Sequence, residues 1–462
     1  MKFDDQNYSV KKCKINEETI TYRSFLHIPY VEKPIEPAFQ MMNIFVPESF
    51  YKNDEINGYR IKTAPIFMPN TVGGYMPAQA IEPGADFFNP QKANTLFLAL
   101  QHGYVVVCPA IRGRSQDYGK APACIVDYKA AVRFLRRFTK FIPGDAEKIV
   151  TNGTSAGGAL SALMGGTGNA NDYEPYLSAI GAANERDDIF AASCYCPISN
   201  LENADAAYEW QFFGVNNFHR MKMNLVEGGR PTFTPEDGVM SPEQISISNE
   251  LKLLFPEYVN KLGLKDSNGL ELSLDKDGNG SFKKYIESMI LASAQTALDE
   301  GENLGEIPWL SVEQDKAVSM NFGAYTRNVT RMKTAPAFDG LSLESPENNL
   351  FGTPVLSGRH FTPFSYKHTK INGVVADPCT IRMLNPLTYI GKPGVSVAKY
   401  WRIRHGGIDR DTSLAISAIL TLILKKHDCC VDYFLPWNTP HSGDYDCNEL
   451  FTWIDNVCGV KA

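Results

Sequence analysis

No stretch of this 462-residue chain approaches the ~18 consecutive apolar residues that a membrane-crossing helix needs, so no membrane partner is expected. Basic excess is missing too. Lys and Arg total 45 against 52 Asp and Glu, a formal charge of −7, and this argues against nucleic acid, whose phosphates call for a positive surface. The ten cysteines contain no CxxC pair, which removes the usual zinc-ribbon and dithiol-redox spacings. Cys429 and Cys430 stand side by side in an apolar run and are read as buried thiols, and the thin cysteine usage suggests a reducing, cytoplasmic setting. The opening residues MKFDDQNYSVKKCK lack the apolar core of a secretory leader, although secretion stays open if a leader has been removed. Internal repeats and low-complexity tracts are absent.

What is present is the composition of an enzyme with a large core: 44% hydrophobic and 21% charged residues. Short apolar runs read as strands: TITYRSFLHIPY, AFQMMNIFVPE, TAPIFMPN, GYVVVCPAI, EKIVTNG, IFAASCYCPIS, AKYWRIRHG and CCVDYFLPW. The first two suit antiparallel edge strands. The later ones alternate with helical patterns such as YKAAVRFLRRFTKFI and DTSLAISAILTLILKK, which implies a mostly parallel sheet flanked by helices. Between about 201 and 390 the alternation stops and helical segments such as SFKKYIESMILASAQTALDE take over. The expected architecture is therefore an α/β fold with residues 1–200 and 391–462 as the core. Residues 201–390 form a large insertion at the carboxyl end of the sheet, where α/β folds bind ligands.

The run EKIVTNGTSAGGALSALMGG places Gly-Thr-Ser-Ala-Gly between a strand and a helix, the pattern of a nucleophile elbow. Ser155 is the candidate nucleophile. The amide of Ala156, at the helix start, is a candidate oxyanion donor, and MPNTVGGYMP offers Gly73 or Gly74 as the second. In this fold the order is serine, acid, histidine. Among eight histidines, His441 in YFLPWNTPHSGDYD follows the last strand and suits the general base. RHGGIDRDTS supplies two carboxylates after the preceding strand. Asp409 is assigned to orient His441 and Asp411 to ligand contact; the reverse assignment stays open, and either could cap the following helix.

GTSAGG, RHGGIDRDTS, PWNTPHSGDYD and MKTAPAFDGLSLESPENNLFGT together closely resemble the bacterial tannases (tannin acyl hydrolases), over nearly the whole chain. The resemblance implies an α/β-hydrolase fold with residues 201–390 as a large inserted lid domain, and a serine esterase that cleaves galloyl ester and depside bonds of gallate esters and gallotannins, releasing gallic acid through a galloyl-enzyme, without cofactor or catalytic metal. It also implies a gallate-binding trio matching Lys333, Glu347 and Asp411. Two carboxylates can accept from vicinal phenol hydroxyls, and an ammonium can donate to a phenolic oxygen. The chain departs from the fungal branch, whose nucleophile and base are tied through preceding cysteines, because Thr154 and Pro440 occupy those positions. The His of the HGG sequence in related esterases is also missing before Gly73 and Gly74.

The alternatives are a feruloyl or general carboxylesterase with the same triad, or a non-catalytic hydrolase-like binding protein. A monomer is expected. One further pattern, LDKDGNGSF, sets Asp275, Asp277, Asn279 and Gly280 at the spacing of a calcium-loop start. Its twelfth position is Ile286 rather than a bidentate Glu, and a turn is the favoured reading.

Overall fold

The computed structural model describes residues 1–87, 89–224 and 232–460. Among these, nine strands form one sheet: β1 (Ser9–Ile15), β2 (Glu18–Pro29), β3 (Met41–Pro47), β4 (Pro65–Pro69), β5 (Val105–Pro109), β6 (Asp145–Thr154), β7 (Ala191–Tyr195), β8 (Tyr400–Arg404) and β9 (Cys430–Phe434). Their order is β1-β2-β3-β5-β4-β6-β7-β8-β9. The first three pairings are antiparallel and every one from β5 to β9 is parallel. Every residue of β4, β5 and β7 is buried, as expected of strands covered on both faces.

Three sequence expectations need correction. β1 is an extra edge strand, so β2 and β3 are antiparallel but not outermost. Its sequence SVKKCKI carries three lysines and little buried surface, which conceals it from a hydrophobicity reading while protecting an open edge. Cys430 is exposed and Cys429 only partly buried, because β9 is the other edge of the sheet; all ten cysteines are free thiols. Of the Asp-Thr-Ser run expected to cap the helix Leu414–Lys426, it is Ser413 that does so, its side chain accepting from the Ala415 amide, and neither Asp409 nor Asp411 is the cap.

Between β7 and β8 the chain leaves the sheet. Among the described residues it forms helices including Leu201–Phe212, Ser281–Asp299 and Phe322–Val329, and three two-stranded antiparallel sheets separate from the main one, with Phe218 of the strand Asn217–Asn224 also bridging to Arg331. This lid-like insertion shares one continuous apolar core with the sheet, with Trp210, Phe255, Phe282 and Tyr325 in the same buried cluster as Phe67, Ile149 and Trp401. The Asp275 turn is satisfied internally. Asp275 Oδ1 accepts from the amides of Asp277 and Asn279, each at 2.9 Å, and Ile286 is buried on the helix that follows.

Candidate active site

β6 runs directly into the helix Ala156–Gly166, and Ser155 sits at the corner with φ 62° and ψ −121°. For a residue with a Cβ this conformation costs on the order of 1–3 kcal/mol and persists only where its surroundings hold it. They do: the Ser155 amide donates to Tyr195 O at 3.0 Å, and Ser155 O accepts from the amides of Ala159 at 2.9 Å and Ile198 at 3.2 Å. The serine is thus fixed between the helix Ala156–Gly166 and the end of β7. Gly165 lets that helix lie flat on the sheet, since a Cβ there would meet the Trp401 ring at 2.6 Å.

The loop after β4 packs against the helix amino terminus. Asn70 Nδ2 donates to Asn152 O at 3.1 Å and Gly157 O at 3.0 Å, and a Cβ on Gly157 would fall 2.6 Å from Asn70 Oδ1 and 2.9 Å from Val72 O. Gly73 and Gly74 follow, Gly74 with φ 52°, and Tyr75 is anchored by its hydroxyl on Ile198 O at 2.8 Å. Among the described residues, the amides of Gly73 and Gly74 donate to no protein acceptor. The Ala156 amide, in the first helical position, lacks an intrahelical acceptor by geometry. The candidate oxyanion donors therefore lie on two segments packed together beside Ser155.

His441 lies beyond β9 on a loop pinned to β6. Asp444 accepts from Asn152 Nδ2 at 2.8 Å, and Gly443 leaves no room for a side chain against Thr154. His441 Nδ1 is 2.7 Å from Asp409 Oδ2. Asp409 is fully buried and also accepts from the Asp411 amide at 2.7 Å. Burial pushes the Asp409 carboxyl up, but the imidazoles of His441 and His405 and the hydrogen bonds outweigh it and hold it at about 2. For His441, burial acts downward and the charge of Asp409 overrides it, leaving the imidazole well above its ordinary value. His441 Nε2 faces Cys196 Sγ at 3.9 Å, and among the described residues no hydrogen bond joins it to the Ser155 hydroxyl. Base–nucleophile contacts are often loose before substrate arrives.

Asp411 turns away from this pair toward the insertion, with Oδ1 3.9 Å from Lys333 Nζ. The two segments are stitched by Tyr208, whose hydroxyl accepts from the amides of Met332 at 3.0 Å and Lys333 at 3.1 Å and donates to Arg410 O at 2.8 Å. Glu347 is buried on the short helix Pro346–Leu350. Burial raises its pKa, the charges of Lys333 and Arg114 pull it back, and Asp411 raises it further. Lys333, Glu347 and Asp411 thus share one electrostatic environment.

Solved structures of similar proteins decide the family. The tannase of Lactobacillus plantarum is 44% identical with a TM-score of 0.95, covering 99% of each chain. That of Fusobacterium nucleatum is 48% identical with a TM-score of 0.94, again covering 99% of each. This chain belongs to the tannase family. A tannin acyl hydrolase solved in complex with ethyl gallate is 44% identical, with a TM-score of 0.93, over 99% of this chain and 98% of that one. A family model described as BD-FAE matches residues 71–260, and no curated protein matches the chain.

Three residues around this tannase-family site escaped the sequence reading. His405 is fully buried, with Nδ1 2.7 Å from Ser417 Oγ and Nε2 3.4 Å from Asp409 Oδ2. Burial pulls its pKa down, and the facing carboxylate favours the tautomer with the proton on Nε2. Arg114 donates from Nε to Gly74 O at 2.7 Å and from Nη1 to Asn349 Oδ1 at 3.2 Å, linking the glycine loop to the helix that carries Glu347. Cys196 is buried beside His441. Only His405, four residues before Asp409, left any local trace in the sequence.

Proposed function

We propose that this tannase hydrolyses galloyl esters with Ser155 as nucleophile, His441 as general base and acid, and Asp409 as the group that orients His441. Residues 201–390 act as the lid over the acyl pocket. Ser155 Oγ attacks the galloyl carbonyl carbon while its proton passes to His441 Nε2. The amides of Ala156 and of Gly73 or Gly74 take the developing oxyanion, helped by the positive end of the helix Ala156–Gly166. Collapse expels the alcohol, which receives the proton from His441. Water, deprotonated by the same nitrogen, then releases gallic acid and frees Ser155.

The observation that carries this reading is the hydrogen-bonded Asp409–His441 pair, whose imidazole Nε2 faces Cys196, next in the chain to the Tyr195 carbonyl that holds the strained Ser155. On the acyl side, Lys333, Glu347 and Asp411 suit the three phenolic hydroxyls of gallate, the acid of the ester held by one relative. Such a set disfavours rings without those hydroxyls, because its buried polar groups would be left unpaired.

The test is a comparison of methyl gallate with methyl ferulate, combined with fluorophosphonate labelling. Labelling at Ser155 with strong preference for methyl gallate is expected. A preference for methyl ferulate would make the chain a feruloyl esterase, and labelling elsewhere would remove Ser155 as nucleophile.

A further inference from the structure

Cys196 follows β7 with φ 35° and has no exposed surface. Its thiol is 3.4 Å from Ser442 O, to which it donates, and 3.9 Å from His441 Nε2. Nothing in the proposed proton relay uses it. Among the described residues, Cys196, Asp409 and His441 are the one trio of metal-ligating side chains whose donor atoms all lie within 4.8 Å of one another.

The spacing suits chelation. With Zn–S near 2.3 Å and Zn–N near 2.0–2.1 Å, a tetrahedral centre sets sulfur and nitrogen roughly 3.6 Å apart. The observed 3.9 Å needs a few tenths of an ångström of closure or a somewhat wider bond angle. Asp409 already holds Nδ1, the arrangement in which a carboxylate orients a metal-bound imidazole and raises its basicity. A thiolate with an imidazole selects soft or borderline ions over magnesium or calcium.

We infer that Cys196 Sγ and His441 Nε2 form a chelating site for a soft or borderline divalent cation such as zinc or cadmium, whose binding inhibits the enzyme by occupying the nitrogen that receives the serine proton. The inhibitory half rests on the proposed role of His441; the binding half does not. The metal–sulfur and metal–nitrogen bonds form as the thiol S–H bond breaks, and the thiol proton goes to solvent. An imidazolium would release its Nε2 proton as well. No oxidation is involved, and water fills the remaining coordination positions. The ion enters from the His441 side, whose side chain keeps 17% of its surface.

The test titrates the full chain with cadmium in chelator-free buffer, following ultraviolet cadmium–thiolate absorption and methyl gallate hydrolysis together. The absorption tied to Cys196 should grow in step with the loss of activity. Cys196→Ser should abolish that component and raise the half-inhibiting cadmium concentration about tenfold or more, relative to its own uninhibited rate. Cys430→Ser, which removes the exposed thiol, should leave inhibition as in the wild type. Equal cadmium sensitivity in Cys196→Ser, or sensitivity lost in Cys430→Ser, would overturn the inference. Should Cys196→Ser fail to fold, X-ray absorption of the cadmium complex of Cys430→Ser decides: one sulfur with an imidazole supports the site, and oxygen or sulfur alone contradicts it. If the proposed catalytic roles were wrong, the absorption would still report binding without matching the activity loss.

Discussion

Asp409 Oδ2 meets His441 Nδ1 at 2.7 Å from a carboxylate with no exposed surface, while Asp411, two residues on, faces Lys333. The two acids are therefore separable by experiment. Asp409→Asn keeps the shape but loses the charge that steadies the imidazolium, and kcat should fall by about 10³–10⁴-fold with gallate affinity little changed. Steady-state kinetics and calorimetry with gallate check this. A near-normal kcat would remove Asp409 from the relay.

The same charge sets a pH dependence. Burial alone would lower the His441 pKa; Asp409 overrides it and holds the imidazole well above 6.5. Cys196 adds no charge at neutral pH, since burial pushes its thiol up and keeps it protonated. The base must be neutral to accept a proton, so activity is present above the raised pKa and is lost as pH falls through it. The acidic limb of kcat/KM should lie above the ordinary imidazole value and move down in Asp409→Asn. A limb that stays in place would contradict this electrostatic account.

Asp411→Asn and Glu347→Gln should act on the acyl side. Each removes a charged acceptor for a phenolic hydroxyl, worth roughly 1.5–3 kcal/mol, or about 10–150-fold in kcat/KM. The loss should fall on methyl gallate and spare a simple phenyl ester. Equal loss on both substrates for Asp411→Asn would exchange the roles of Asp409 and Asp411.

Gly157→Ala tests the close approach of the loop after β4. Its Cβ would press on Asn70 Oδ1 and on the Val72 carbonyl, so the segment carrying Gly73 and Gly74 must shift. The expected result is lower kcat with KM for methyl gallate less affected, and a reduced melting temperature by thermal unfolding. Unchanged kinetics would show that this contact does not set the oxyanion geometry.

β4, β5 and β7 were legible because strands buried on both faces are nearly all apolar, and the elbow because a tight corner leaves Gly and Ser at fixed offsets. β1 was not, since its lysines face solvent on an edge. Asp409 and His441 could be placed by chain order, yet their 2.7 Å contact is made by loops 32 residues apart in sequence. Arg114 and Cys196 were invisible for the same reason. Their partners, Asn349 and His441, lie 235 and 245 residues away, and no local pattern encodes such a meeting. Ser413 is the helix cap because it directly precedes Leu414, while Asp409 and Asp411 stand earlier in the loop and contact His441 and Lys333.

The most direct measurement is methyl gallate hydrolysis by Ser155→Ala, paired with calorimetric binding of gallate to the same protein. The account predicts that turnover disappears while gallate binds about as in the wild type. Hydrolysis persisting in a protein that still binds gallate would contradict it.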